Sequence, residues 1–293
     1  MIKLKHFLYA FIFGIIMYSC GDSDENQIVD NFDHVQQAKI DNDSILKFLK
    51  NNYFDDTLDS IVPLKSGKTA LFEDDRLLTK KVNEFDIDYT YYVFVKHEGA
   101  PDVDKGFPTV IDSILPVYRL RTLTNAMEVK KEQDLIFPSW FNQLNVIPGW
   151  RYPWVHFKGG SNLSTVGEPL KYENGGKGFF ILPSGLSYRN SSNALANKIL
   201  LYYIELYDFV DGTDHDGDNI PSIKEDIDGD GKPWNDDTDN DTRFNFLDDD
   251  DDGDRILTKD EDANGNNDPT DDKSDPNQPD LPDYLNRIIR VKY

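Results

Sequence analysis

Residues 178–209, GFFILPSGLSYRNSSNALANKILLYYIELYDF, decide the fold class of this 293-residue chain. Gly178 to Leu182 is a short apolar run and Ile199 to Phe209 a long one, both rich in the aromatic and branched side chains that suit a pleated surface. Toward the N-terminus, Tyr89 to Lys96 and Pro116 to Leu123 have the same character. Together these runs predict a mostly antiparallel sheet with a little helix, an α+β domain over residues 85–210.

Ahead of it, residues 34–84 are expected to form an N-terminal helical segment. Residues 34–53, HVQQAKIDNDSILKFLKNNY, read as two helical pieces, the second capped by Asp43 or Ser44. Ile45, Leu46, Phe48 and Leu49 give that piece an apolar face to pack on the domain behind it.

Three stretches, in order, carry a family resemblance. Val146-Ile147-Pro148-Gly149-Trp150, extended by His156-Phe157-Lys158-Gly159-Gly160, resembles the VIxGW element of the FKBP-type peptidyl-prolyl isomerases. Phe179 to Tyr188, FFILPSGLSY, resembles their strand-and-loop xIPxxLAY, and Leu200 to Leu206, LLYYIEL, their closing strand LxFxVEL. The resemblance implies a bent antiparallel sheet wrapped around a short helix, with an apolar pocket between them that takes proline-containing polypeptides. It also implies roles: Trp150 as the floor under the proline ring, Val146 and Ile147 as wall with the Ile147 amide as donor, Tyr202 as a further aromatic wall, and Tyr188 as a hydrogen-bond donor to the substrate carbonyl. For each, a core side chain is the alternative reading.

One segment departs from the family. Where VxYTGxLxDGxxFD is usual, residues 117–130 read VYRLRTLTNAMEVK. Aligned through Asn125, Arg119 replaces the pocket tyrosine, Val129 the phenylalanine and Lys130 the aspartate, and Arg189 follows Tyr188 where glycine is usual. Cations in an apolar cleft are costly, so this alignment predicts low or absent isomerase activity.

Charge divides the remainder sharply. Asp208 to Asp283 holds 28 Asp and Glu against 6 Lys and Arg, a net of −22 within a chain of −23. Such a field repels phosphate, and no basic stripe offsets it, so no nucleic acid is expected as a partner. The carboxylates recur at nearly regular spacing over residues 211–280. Asp214, Asp216, Asp218 and Glu225 form a first unit; Asp226, Asp228, Asp230 and Asp237 a second; Asp237, Asp239, Asp241 and Asp248 a third; Asp250, Asp252, Asp254 and Glu261 a fourth. Asp262, Asn264 and Asn266 begin a fainter fifth. Oxygen donors at positions 1, 3, 5 and 12 are what a loop needs to wrap one Ca2+, a hard cation. The units resemble the aspartate-rich calcium loops of thrombospondin type 3 repeats, giving an irregular calcium-loop array. Asn219, Thr242 and Arg255 stand where a turn glycine is usual, which predicts uneven sites.

The first residues read as an address rather than as fold. Lys3 and Lys5 precede an apolar stretch from Phe7 to Met17, followed by Ser19-Cys20-Gly21. This resembles a bacterial lipoprotein signal over residues 1–19, with Cys20 as the lipidation site. Asp22, Asp24 and Glu25, in an acidic tether over residues 20–33, resemble the surface-export signal of Bacteroidetes lipoproteins. An outer membrane lipoprotein is expected, at the cell surface rather than in the periplasm. Cys20 is the sole cysteine, so no disulfide is expected in the mature chain.

The five histidines show no HExxH-type spacing, and neither a phosphate-cradling glycine loop nor a nucleophile elbow occurs. Two functions stay open: an isomerase assisting exported or outer-membrane proteins, and a non-catalytic scaffold subunit of an outer-membrane machine such as a type 9 secretion translocon. Residues 281–293 are expected to form an amphipathic tail, Tyr284, Leu285, Ile288 and Ile289 beside Arg287, Arg290 and Lys292, that docks on its own acidic array or hooks a partner.

Overall fold

The computed structural model describes residues 32–124, 128–189, 191–290 and 292. Cys20, the signal, and Asp22, Asp24 and Glu25 lie outside the described residues. Among those described, no helix is long and apolar enough to cross a membrane.

An antiparallel sheet of six strands organises residues 77–209, in the order β3 (Leu77–Glu84), β4 (Ile87–His97), β9 (Gly176–Leu182), β10 (Ile199–Phe209), β5 (Ile114–Thr124) and β6 (Glu128–Leu135). Two small hairpins flank it: β1 (Asn52–Asp55) with β2 (Ser60–Pro63), and β7 (Ser161–Asn162) with β8 (Tyr172–Glu173). Side chains alternate between faces along a strand, and the central strands are apolar on both. Phe180, Leu182, Leu200, Tyr202 and Ile204 enter one core; Phe179, Ile181, Leu201 and Tyr203 enter the other. Both faces are covered, which explains why the deciding stretch is nearly continuous in apolar residues rather than alternating.

The second face is closed by helix α1 (His34–Asn51), which buries Ile45, Phe48 and Leu49 against it. The expected break into two pieces is absent. The cap is Asp33, whose carboxylate accepts the Gln36 N–H at 2.8 Å, and the chain stays helical through Asp43 and Ser44 because Asp41 and Ile45 are both held in the interior. The sheet also begins earlier than residue 85, since β3 pairs with β4 along its whole length and 34–84 is therefore only partly helical.

Among the described residues, the first face carries no α-helix. The expected short helix is replaced by two 3-10 turns, Pro148–Trp150 and Trp154–His156, each containing a tryptophan directed into the core. Pro148 and Pro153 interrupt continuous helical hydrogen bonding there. Beyond β10 the chain is a succession of loops and 3-10 turns, docked on this face by Thr213, which donates to Asp112 at 3.0 Å, and by Trp234, stacked 4.2 Å from the Arg151 guanidinium.

Candidate functional sites: an aromatic cage and five carboxylate loops

The turn Pro148–Trp150 places Trp150 at the centre of a cage of rings. Its ring centroid lies 4.8 Å from Tyr202, 5.2 Å from Trp154, 5.3 Å from Tyr118, 5.7 Å from Phe180 and 5.8 Å from Phe141. Tyr202 and Tyr118 meet it edge-on, at interplanar angles of 81° and 78°, the geometry favoured by ring quadrupoles. Gly149 is required: a Cβ there would sit 2.7 Å from the Leu186 backbone oxygen, so only glycine lets this turn nest beneath the turn Ser184–Leu186.

The sequence-predicted residues converge here. Trp150 and Tyr202 are buried in the cage, while Val146, Ile147 and Tyr188 are half-buried and pack against it. The Ile147 N–H donates to no described residue. Tyr188 lies near enough to Tyr118 and Tyr202 to help push both phenols upward, after burial as the larger cause. The Tyr118 and Tyr202 phenols therefore stay protonated and able to donate. The segment bearing Tyr188 is fixed from the opposite side of the sheet, because the buried Asp41 accepts both the N–H and the hydroxyl of Ser184.

Trp150 is only 3% exposed. Phe141 and Tyr118, each half-buried, pack over it.

Two expectations about this region are corrected. Arg119 does not face the cage. In the β5–β10 register Tyr118 is opposite Ile204 and Arg119 opposite Tyr203, so Tyr118 takes the cage side. Arg119 stacks on Tyr203 across the sheet, 4.8 Å from its ring centroid. Lys130 does not enter either: its side chain is 63% exposed and its ammonium lies 3.4 Å from Glu132. The side chain of Val129 lies outside the described residues. Arg189 reaches outward, over the Phe85 ring at 4.5 Å. His97 is exposed and its Nδ1 accepts the Gly99 N–H, and His156 is held neutral by burial and then by Lys80, its pKa pushed down to about 4.

The acidic array consists of five loops with one backbone. In each, the sixth N–H donates to the first aspartate's Oδ2: Asn219 to Asp214, Gly231 to Asp226, Thr242 to Asp237, Arg255 to Asp250 and Asn267 to Asp262, over 2.7 to 3.1 Å. The fourth and sixth residues are left-handed in all five, glycine or not. The missing glycines therefore do not change the loop. Thr242 and Arg255 carry the strain instead, at φ of 85° and 82°.

Wrapping in this way turns alternate carboxylates inward. Ligand atoms of Asp214, Asp216 and Asp218, of Asp226, Asp228 and Asp230, of Asp237, Asp239 and Asp241, and of Asp250, Asp252 and Asp254 come within 4.8 Å of one another. Glu225 and Glu261 close the first and fourth loops, buried, with both oxygens of Glu225 and one of Glu261 unpartnered. Asp216, Asp218, Asp252 and Asp254 each keep an unpartnered buried oxygen as well. Burial first, and neighbouring carboxylates second, push Glu225 up to about 11 and Glu261 up to about 9. Buried charges that lack hydrogen-bond donors are paired or hold metals, and a cage of carboxylate oxygens without nitrogen or sulfur suits Ca2+.

Closure differs from expectation in three places. Asp237 belongs to the third loop, accepting from Asn240 and Thr242, and its neighbour Asp236 faces the second loop with Oδ2 unpartnered. Asp248 is buried but bound to Arg243 at 3.1 Å, so the third loop is partly neutralised from within. Asp272, absent from the sequence-predicted set, turns toward the fifth loop. Asp251 was likewise not predicted, and is buried with both oxygens unpartnered. The signal available in the sequence is the adjacent-aspartate doublet, which occurs at Asp236-Asp237, Asp271-Asp272 and within Asp248 to Asp252.

The C-terminal segment docks on the array rather than forming a helix. Tyr284 is buried, Arg287 donates to the Gly253 carbonyl at 3.2 Å and Lys292 reaches Asp260 at 2.6 Å.

No protein-family model and no curated protein matches this chain. Among solved structures it is similar to FkpA from Escherichia coli, at 20% identity and a TM-score of 0.32 over 42% of this chain and 49% of that one. A peptidyl-prolyl cis-trans isomerase from Pseudomonas syringae pv. tomato aligns at 14% identity and a TM-score of 0.35, over 59% and 93% of the two chains. The N-terminal domain of FKBP42 from Arabidopsis thaliana aligns at 16% and 0.32, over 51% and 98%. The chain thus spans about half the length of FkpA.

Proposed function

We propose that this chain is a membrane-tethered homologue of the FKBP-type peptidyl-prolyl isomerases, braced by a calcium-loaded array, that acts on proline-containing segments of exported or outer-membrane proteins. The observation that carries the reading is the convergence of Val146, Ile147, Trp150, Tyr188 and Tyr202 on one aromatic cage. Rotation about an X-Pro amide faces a barrier of about 18 to 20 kcal/mol, sustained by amide resonance. An aromatic enclosure excludes water from the amide and favours its twisted, less polar form, which is differential binding of the transition state. Phe141 and Tyr118 open to admit the ring, Trp150 lies beneath it, and the Ile147 N–H and Tyr188 hydroxyl orient the flanking carbonyls.

Asp214, Asp216, Asp218 and Glu225 would hold one Ca2+, and Asp250, Asp252, Asp254 and Glu261 another, with Asp226, Asp228, Asp230 and Asp236 and then Asp237, Asp239, Asp241 and Asp248 around two more. The ion supplies the positive charge that these buried oxygens lack. Cys20 is the anchor, two or three acyl chains being enough for lasting attachment at about 0.8 kcal/mol per buried methylene, and the acidic residues behind it direct export to the cell surface.

The test is a protease-coupled X-Pro isomerisation assay on the full mature chain in detergent. Acceleration by the wild type, lost in Tyr188→Phe with thermal stability unchanged, is expected. A wild type that neither accelerates isomerisation nor changes its tryptophan fluorescence with prolyl peptides would overturn the reading. A second reading, a non-catalytic scaffold subunit of an outer-membrane machine such as a type 9 secretion translocon, is favoured by the near-complete cover over Trp150. Ile136, Phe137 and Trp140, exposed by 69%, 75% and 52%, offer such a scaffold an apolar contact loop.

A further inference from the structure

Asp251 stands at the second position of the fourth loop, where the other loops have His215, Ile227, Thr238 and Ala263. That position supplies no ligand to its own loop, whose donors are Asp250, Asp252, Asp254 and Glu261. Its side chain instead points across the array. Ligand atoms of Asp251, Asp218 and Glu225 lie within 4.8 Å of one another, and the three residues are 2%, 0% and 0% exposed. Both oxygens of Asp251, both of Glu225 and one of Asp218 have no hydrogen-bond partner.

Among the described residues, no ion pair reaches this cluster. Lys224, next to Glu225 in the chain, is bound to Asp268 at 3.6 Å, Arg243 to Asp248, and Arg290 to Asp254 at 3.9 Å. Three carboxylates held together in the interior without a donor repel one another and forfeit their hydration. Tyr284 of the C-terminal segment is buried beside them, its phenol pushed up by burial and then by Asp251, Glu225 and Asp218.

We propose that the ion of the first loop takes Asp251 as a ligand in trans, so that one divalent cation ties the first loop to the fourth and folds the array back on itself. Resting on the calcium reading above, this adds a cross-link that loop-by-loop binding lacks. The second and third loops are enclosed between the two tied ends. Loss of this one ion would open the whole array, whereas loss of the second-loop ion would loosen one loop.

The test is a double-mutant cycle on the full mature chain, following thermal stability against added CaCl2 or chelator. Asp251→Asn keeps the shape and removes the charge. In chelator it should melt above the wild type, because a buried acid without a hydrogen-bond donor is gone, and that result also shows that the variant folds. In calcium it should melt below the wild type, with the calcium midpoint weakened by roughly tenfold or more, the scale of losses seen when a metal site loses a supporting group. Glu225→Gln and Asp251→Asn should be strongly non-additive, and Glu261→Gln and Asp251→Asn close to additive, because coupling reports a shared partner. An unchanged calcium midpoint in Asp251→Asn, or additivity with Glu225→Gln, would overturn the cross-link while leaving loop binding intact. A wild type whose stability ignores calcium altogether would overturn both readings.

Discussion

One carboxylate oxygen of Asp41, on the helix, accepts both the backbone N–H and the hydroxyl of Ser184, at 2.7 and 2.6 Å, from the turn that leads into Tyr188. Gln37 donates to the other oxygen at 2.7 Å, so both oxygens of a buried carboxylate are engaged and join the helix to the turn that follows β9 beside the aromatic cage. Burial raises its pKa and these three donors lower it in part. Asp41→Ala should cost about 1 to 3 kcal/mol, the penalty for leaving buried donors unmatched. Chemical denaturation gives the loss, and a shift in Tyr188 NMR resonances reports whether the turn moves. A variant as stable as the wild type would mean that water replaces the carboxylate.

Arg119 and Trp150 lie on opposite faces of the sheet, and that separates their mutational effects. Arg119→Ala should lose the stacking on Tyr203, worth roughly 0.5 to 1 kcal/mol at a partly exposed site. Tryptophan emission and any isomerase activity should be unchanged. Trp150→Ala removes the centre of the cage and should cost about 3 to 5 kcal/mol. If Arg119→Ala instead changes turnover, the cation reaches the cage and Arg119, not Tyr118, takes the cage side of β5.

The sheet was legible because its strands declare themselves by composition: Phe179 to Leu182 and Ile199 to Ile204 are apolar on both faces, and two covered faces leave no polar alternation to confuse the reading. The cage residues were legible through the VIPGW and SGLSY stretches. The strand before them was not, because a shift of one residue moves every side chain to the other face, and the letters VYRLRTLT accept either alignment. The helix was split because Asp43 and Ser44 look like a cap, while the burial of Asp41 that keeps the helix continuous depends on Ser184, 143 residues away. In the array, spacing identified ligands within each loop. Asp236, Asp251 and Asp272 were missed because which member of an aspartate doublet turns inward is set by the closing turn, and by a neighbouring loop in the case of Asp251.

Proton linkage gives the array opposite behaviour with and without metal. In calcium-free protein, burial followed by like charge pushes Glu225 up to about 11, Asp251 and Glu261 to about 9 and Asp252 to about 7. Unfolded carboxyls release their protons near pH ~4. Between that point and the raised values the folded state binds more protons than the unfolded chain, so stability falls as pH rises across the window. Chelated protein taken from about pH 5 to about pH 8 should therefore melt earlier. With calcium the sign reverses, because ligands must be deprotonated to bind and protons compete with the ion. Calorimetry at the two pH values, in chelator and in calcium, measures both slopes. Slopes of the same sign would remove the metal from the account of these buried acids.

Thr242 and Gly231 occupy the same position in successive loops, with the same φ of 85°, and the difference between them is stored strain. An L side chain in the left-handed region costs about 1 to 2 kcal/mol, and a β-branched one is the least tolerant. Glycine avoids that cost but gives back roughly 0.5 to 1 kcal/mol through its greater freedom in the unfolded chain. Thr242→Gly should therefore raise stability by on the order of 0.5 to 1 kcal/mol, leaving the amide donation to Asp237 in place. The mirror substitution isolates the backbone contribution, since a Cβ at Gly231 would meet no atom within 4 Å. Gly231→Ala should lower stability by about 1 kcal/mol with no steric clash to blame. Both variants are read by calcium-saturated thermal denaturation, where the loops are held shut and the strain cannot relax. Opposite signs for the two substitutions are expected. If Thr242→Gly destabilises, the threonine contributes a contact that outweighs its backbone cost, and the equivalence of the five loops fails at that position.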